Sequence, residues 1–287
     1  GFKLGAIAHD RFAIMKSSPQ YNAQKFDLII GGHHGWAGRQ SQIEGSSSEH
    51  DTIGLGPYFM RILDDFGTDE DIYYRLFATP VAEAAPGGGM RTSFDNIAAV
   101  GQGSNIHVYE INFHLNKVDS LNPAPADLRN DVITGQGGAL ALPLTMLTYM
   151  RELGIKTQLA FTFAGFTLQA DDGEYLRMWG LVRDLLNTGR KRPTFMGLTL
   201  ANHVMFNNMV ETIQTGGDPI VSVTPGNGLA ANVDLHLVQS FSFQQGRNRS
   251  LVLFNLDLTN PQDIIIDTSG PVVGSALAAG LVPGDIH

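Results

Sequence analysis

Apolar and polar positions change rhythm several times along the 287 residues, and each change marks an expected element. A compact apolar run at 3–8, closed by His9-Asp10, reads as a buried strand. A second run, Phe26-Asp-Leu-Ile-Ile30, feeds into Gly31-Gly-His-His-Gly-Trp-Ala-Gly38. Residues 39–53 are polar and serine-rich, which predicts a long loop. Helical spacing follows over 54–66 and parts of 69–100, broken at Pro80 and at Pro86-Gly-Gly-Gly89. At 105–110 period two takes over, with Ile106 and Val108 facing one way and His107 and Tyr109 the other. This third strand runs out into Glu110, Asn112 and His114. After a loop at 116–131, Gly135-Gln-Gly-Gly138 opens a helix over 139–153 that Gly154 stops. A fourth strand is expected at 156–163, and further helices at 174–187 and 193–209, the latter starting on Pro193.

From about 211 the rhythm shortens. Alternating runs at 219–224, 231–243, 250–256 and 261–267 are separated by Pro-Gly-Asn-Gly, Gln-Gln-Gly-Arg-Asn and Thr-Asn-Pro-Gln. They predict an antiparallel β module of the sandwich type. The earlier strands alternate with helices, which implies parallel strands joined by crossovers. The fold class is therefore α/β plus all-β. Residues 1–210 make about four βα units, half of a (β/α)8 barrel, and residues 211–287 an incomplete β-sandwich module. The chain starts directly on an apolar run and closes at 278–287 without a polar tail, so both ends read as cut from a longer protein.

Composition narrows the partners. With 43% hydrophobic residues the chain can bury a sizeable core. Its net charge is −9, and the densest basic run, Arg190-Lys-Arg192, is too short for a nucleic-acid surface. No apolar run reaches the ~18 residues of a membrane helix. Having no cysteine, it has no thiolate nucleophile and no Cys-ligated zinc. No His-Glu-x-x-His helix and no dense carboxylate set occurs, so no metal is expected, nor any cofactor; without a Gly-x-Ser-x-Gly elbow a Ser-His-Asp triad is unsupported. Neutral, polar small molecules and carbohydrates fit best.

The polar residues collect where strands end: His9-Asp10, His33-His34 with Trp36, Glu110 with Asn112 and His114, and Phe163 with Phe166. In a parallel α/β unit these ends share one face, so the four stretches converge on one cleft. Each alone has a plainer reading. Glu110 also suits a solvated strand end, His33-His34 a packed turn, and Trp36 a core anchor as well as a platform for a sugar ring.

Five stretches resemble retaining glycosidases of the (β/α)8 type. Phe26-Asp-Leu-Ile-Ile-Gly-Gly-His-His34 is similar to their sixth strand, and Val108-Tyr-Glu-Ile-Asn112 to the seventh, whose Glu is the nucleophile. Residues 139–150 resemble the seventh helix, 192–202 the last, and 250–256 a core strand of the appended sandwich. The group is that of α-L-arabinofuranosidases, β-xylosidases and heparanase-like glucuronidases. The resemblance implies a carbohydrate substrate, Glu110 as nucleophile, and His33, His34 and Trp36 lining the sugar site. It also implies that Asn112 and His114 orient Glu110 or bind sugar hydroxyls. Hydrogen bonds from Tyr109, Asn112 or a His would keep the carboxylate ionised. An extracellular or periplasmic location goes with the group.

One departure matters. Retaining hydrolysis needs a second carboxyl ~5–5.5 Å from the nucleophile. In this group it is the Glu of an Asn-Glu pair closing the fourth strand, and no Asn-Glu pair occurs in these residues. Glu44, on the 39–53 loop, is a poor substitute. The expectation is a glycosidase part that needs a partner chain or self-association to complete the barrel. The alternative is a non-catalytic carbohydrate-binding or assembly protein on the same scaffold.

Overall fold

A computed structural model describes residues 1–32, 34–60, 63–64, 68–115, 123–170 and 172–267. The helices are α1 Phe2–Lys16, α2 Ala37–Glu44, α3 Asp69–Ala84, α4 Gly89–Ala98, α5 Ala126–Thr134, α6 Gln136–Leu153 and α7 Pro193–Val204. The strands begin with β1 Ile29–Gly32, β2 Thr52–Leu55, β3 Tyr58–Phe59, β4 Asn105–Phe113 and β5 Gln158–Ala160. They continue with β6 Phe166–Gln169, β7 Tyr175–Met178, β8 Asn208–Val210, β9 Ile220–Val223, β10 Val233–His236, β11 Val238–Gln245 and β12 Asn248–Asn255.

The chain forms two compact units. The first contains residues 1–59, 82–113 and 148–162, and the second contains 60–81, 114–147 and 163–287. The core of the first unit is a parallel sheet in the order β1-β2-β4-β5, with β3 continuing β2 alongside the end of β4. Strands in sequence order lie side by side and run the same way, which is the wiring of consecutive barrel strands. Four such strands make half a barrel.

One face of this sheet is buried and the other is partly exposed. Leu28, Ile30, Ile53, Leu55 and Val108 are buried on the first. At the opposite parity Thr52 and Gly54 are buried, but Ile29 is 41% exposed, Tyr109 40% and Leu159 57%. Among the described residues β1 pairs only with β2 and β5 only with β4, so both outer edges of the sheet are free.

Several elements differ from the sequence reading. The expected strand at 3–8 is part of the fifteen-residue helix α1. A short apolar run does not distinguish strand from helix, and contact with α2 decides here. Gly5 and Ala8 are the buried positions, and a Cβ on Gly5 would stand only 2.6 Å from Ser46 Cβ. The expected loop at 39–53 contains α2 and β2. Its helix escapes notice because its buried face is Gln40, Ile43 and Glu44, at helical spacing but largely polar. Residues 54–66 are not helical where described: Gly54 lies in β2, and Gly56-Pro57 separates it from β3.

The expected loop at 116–131 runs into α5, which takes up its residues from 126 onward. The helix expected at 174–187 is replaced by the hairpin β6–β7, whose turn includes Asp172 and Gly173, the latter at φ 88°. That dipeptide is a hairpin signal stronger than the apolar spacing that followed it. Residues 193–209 divide into α7 and the start of β8, and 261–267 carry no strand.

The second unit is mixed. Leu142, Leu144, Leu147, Val132 and Ile133 of α5 and α6 are buried. The antiparallel sheet β12-β11-β8 and the hairpin β9–β10 form its β module. Phe241 and Phe254 meet edge to face across β11 and β12, with ring centroids 5.9 Å apart.

Candidate active site

Glu110 owes its position to an irregularity in β4. Between Leu55 and Tyr58 the β2–β3 edge advances three residues, while its partners on β4 advance four, from Val108 to Asn112. On the other side, β5 advances two residues from Gln158 to Ala160 while β4 advances three, from Val108 to Ile111. Both neighbours thus count one surplus residue, at Tyr109-Glu110. A β-bulge of this kind redirects side chains that strict alternation would send to opposite faces. Alternation alone would have put Glu110 on the buried face with Val108.

Gly56 shows where the pair ends up. A Cβ there would stand 3.0 Å from the Tyr109 hydroxyl and 3.3 Å from Glu110 Cγ, so both side chains lie over the same backbone. His34 reaches this backbone from β1, its Nδ1 donating to the Gly56 carbonyl at 3.2 Å. Its own carbonyl accepts the Ser93 hydroxyl at 2.6 Å, which ties the end of β1 to α4. Three successive strand ends of the first unit therefore meet at Gly56.

Two phenols serve the half-buried Glu110 carboxylate. The Tyr58 and Tyr109 hydroxyls both hydrogen-bond to it. Burial, then the charge of Glu110 and the hydrogen bond to it, hold Tyr58 well above the ordinary phenol range. Tyr109 is pushed up to about 12 by burial, then by its hydrogen bond to Glu110 and the Glu110 charge. Both phenols thus remain protonated near neutrality and act as donors that fix the carboxylate's orientation.

The remaining expected site residues are placed differently. Asn112 is buried, with its amide donating to the Phe161 carbonyl and its oxygen accepting the Phe113 N–H at 2.8 Å. It braces the end of β4 against the segment after β5. Trp36 precedes α2 and is 54% exposed. The Arg39 guanidinium lies 4.1 Å from its ring centroid, covering one face. His114 follows β4 in the second compact unit. His33 lies outside the described residues. Glu44 is fully buried, 2.7 Å from His50 Nε2, which leaves it unable to protonate a leaving group. His50 Nε2 also meets the Ser104 hydroxyl, at 3.0 Å.

Tyr58 is the residue that sequence reading missed. It was hidden in a stretch read as helical, although Gly56-Pro57-Tyr58 after an apolar triplet is a strand-end signal. Among the described residues no group of three His, Asp or Glu could hold a metal ion. A depression of about 540 Å³ lies at the other end of β4, lined among others by Asn105, His107 and Lys156. Glu110 lies toward the C-terminal end of β4, the end at which α/β barrels present their functional side chains.

The fold is a parallel half-barrel with an antiparallel β module. Among solved structures, the chain is similar to AbfB, a family 51 α-L-arabinofuranosidase from Bifidobacterium longum, with a TM-score of 0.61 and 11% identity. The match covers 89% of this chain and 50% of that one, so the chain spans half the length of that structure. No protein-family model and no curated protein sequence matches.

Proposed function

We propose that this chain is the nucleophile-bearing part of a retaining glycoside hydrolase. The observation that carries the reading is the Glu110 carboxylate, turned by a bulge at a barrel-strand end and held by two phenol donors. In such a reaction Glu110 attacks the anomeric carbon, the aglycone oxygen leaves with a proton, and water later hydrolyses the glycosyl ester. Tyr58 and Tyr109 keep the attacking oxygen aligned. His34 and Trp36 stand on the β1 side of the cleft, where they would meet the sugar, with His33 a further candidate for binding it.

The acid/base is assigned to a strand outside these residues. With β4 as the seventh barrel strand, β1 is the fifth rather than the sixth, and α1 is the helix that follows the fourth. The Asn-Glu pair would then belong to a strand immediately before α1. Residues 1–210 would contribute half a barrel and 211–287 part of a sandwich. A complementary half would cover the partly exposed sheet face and the edges.

The test is to supply a half-barrel carrying such a strand and to measure aryl glycoside hydrolysis. Glu110→Gln should reduce turnover by roughly three orders of magnitude or more. A 2-fluoro glycoside should add one sugar mass to the peptide containing Glu110. Label on another residue, or full turnover by Glu110→Gln, would refute the assignment. Saccharide binding without turnover in every assembled form would favour the non-catalytic reading.

A further inference from the structure

The second compact unit contains a buried cation with no counter-ion among the described residues. Arg192, the residue before α7, is only 6% exposed, and its Nη1 is enclosed without a hydrogen-bond partner. A guanidinium removed from water is strongly disfavoured unless an anion or several acceptors replace its hydration. The charged neighbours acting on Arg192 are Arg177 and Arg183, and burial together with their charges lowers its pKa from the usual value.

The backbone builds this arrangement deliberately close. Arg192 N–H donates to the Leu181 carbonyl at 2.9 Å and Arg183 N–H to the Arg190 carbonyl at 2.8 Å, a short antiparallel ladder centred on the Val182–Lys191 bridge. The Arg192 guanidinium lies beside Gly165, where a Cβ would stand 3.0 Å from Nη2 and 3.3 Å from Cζ. Gly180, at φ 73°, is packed so tightly on Gly165 that its own Cβ would fall 2.1 Å from the Gly165 Cα. Two glycines thus let backbone pack directly beside the guanidinium.

Nearby acids are committed elsewhere. Asp172 pairs with Arg129 at 2.5 Å. Asp184 closes its own turn through Thr188 at 2.5 Å and the Arg190 N–H at 3.0 Å. Between residues 177 and 192 the sequence holds five Arg or Lys and one Asp, against a net charge of −9 for the chain.

We propose that Arg192, at the N-terminus of α7, together with Arg177 and Arg183, whose charges act on it, binds a single dianionic oxyanion, a phosphate or sulfate group. Three cations suit a dianion better than a carboxylate, and the guanidinium fork engages two oxygens of one group. The positive end of a twelve-residue helix contributes in the same sense. The site is independent of the role given to Glu110.

Calorimetric titration of the full chain with sodium sulfate and sodium phosphate, against sodium chloride at equal ionic strength, tests it. Saturable binding at one site is expected. Arg192→Met should weaken it at least about tenfold, while matching or exceeding the wild type's melting temperature in chloride, since an unpaired buried charge is removed. Arg177→Gln combined with Arg183→Gln changes exposed residues only and should weaken binding and flatten its salt dependence. A monosaccharide sulfate compared with inorganic sulfate identifies the source: tighter binding of the sugar ester indicates a saccharide substituent, equal binding a free ion. No saturable binding of either inorganic anion to the wild type overturns the site. Wild-type affinity in both variants does so too. If Arg192→Met fails to fold, the double variant decides alone.

Discussion

At the residue scale, the cluster around Glu110 ties stability to alkaline pH. An unfolded tyrosine ionises near pH 10, whereas Tyr109 is raised to about 12 and Tyr58 is raised as well. The folded chain therefore holds these protons over a range where the unfolded chain has lost them. Their contribution is complete below about pH 10 and is lost as pH rises through the folded values. Melting temperatures recorded upward from about pH 9 should fall beyond about 10, and Tyr58→Phe should fall less steeply. On the reading proposed above, Tyr58→Phe in the assembled enzyme should lower kcat by roughly ten- to a hundredfold through loss of one donor to a charged group. Unchanged kcat would mean that Tyr58 does not position the carboxylate. The sequence already placed Glu110 at a strand end. Its direction was illegible, because the bulge that turns it is visible only in the register of both neighbouring strands.

Elements in the first unit depend on close approach and on buried polar pairing. α1 meets α2 through Gly5, so Gly5→Ala forces a methyl against Ser46 Cβ and the Ile43 carbonyl. It should cost about 1–3 kcal/mol in urea unfolding; a neutral result would show that α1 moves freely on α2. The Glu44–His50 pair is wholly buried, and breaking a buried pair strands a charge or a polar group. His50→Ala should therefore destabilise by roughly 3–5 kcal/mol, measured in the same way. These contacts explain why α2 was read as loop. A helix whose core face is Gln40, Ile43 and Glu44 has no apolar stripe to detect, and its burial is possible only once His50 faces Glu44.

At the scale of the whole molecule, the free edges and partly exposed face of the parallel sheet are what a half-barrel must leave uncovered. On the reading proposed above, they are where the complementary half docks. Ile29→Lys and Leu159→Lys alter exposed positions and should change the stability of the isolated chain by no more than about 0.5 kcal/mol. The same substitutions should abolish reconstitution of glycosidase activity, because a lysine would be carried into the barrel interior. Full reconstitution by the double variant would exclude this face as the docking surface.

What the sequence determined by itself is coarse and follows from local physics. Alternation at 105–110, the glycine stop at 154, the proline start at 193 and the short runs after 211 specify a parallel α/β part followed by an antiparallel one. They also bring a carboxylate to a strand end. Tertiary structure decided which apolar runs are strands. It made 3–8 a helix by pressing Gly5 onto α2, and it drew Thr52–Leu55 into the sheet beside β4 despite its glycine. It also decided the surroundings of Glu110. A bulge, a glycine at 56 and a tyrosine at 58 gather around Glu110 from strands that local periodicity treats separately, because a side chain's direction depends on the pairing of its strand and not on its neighbours in sequence.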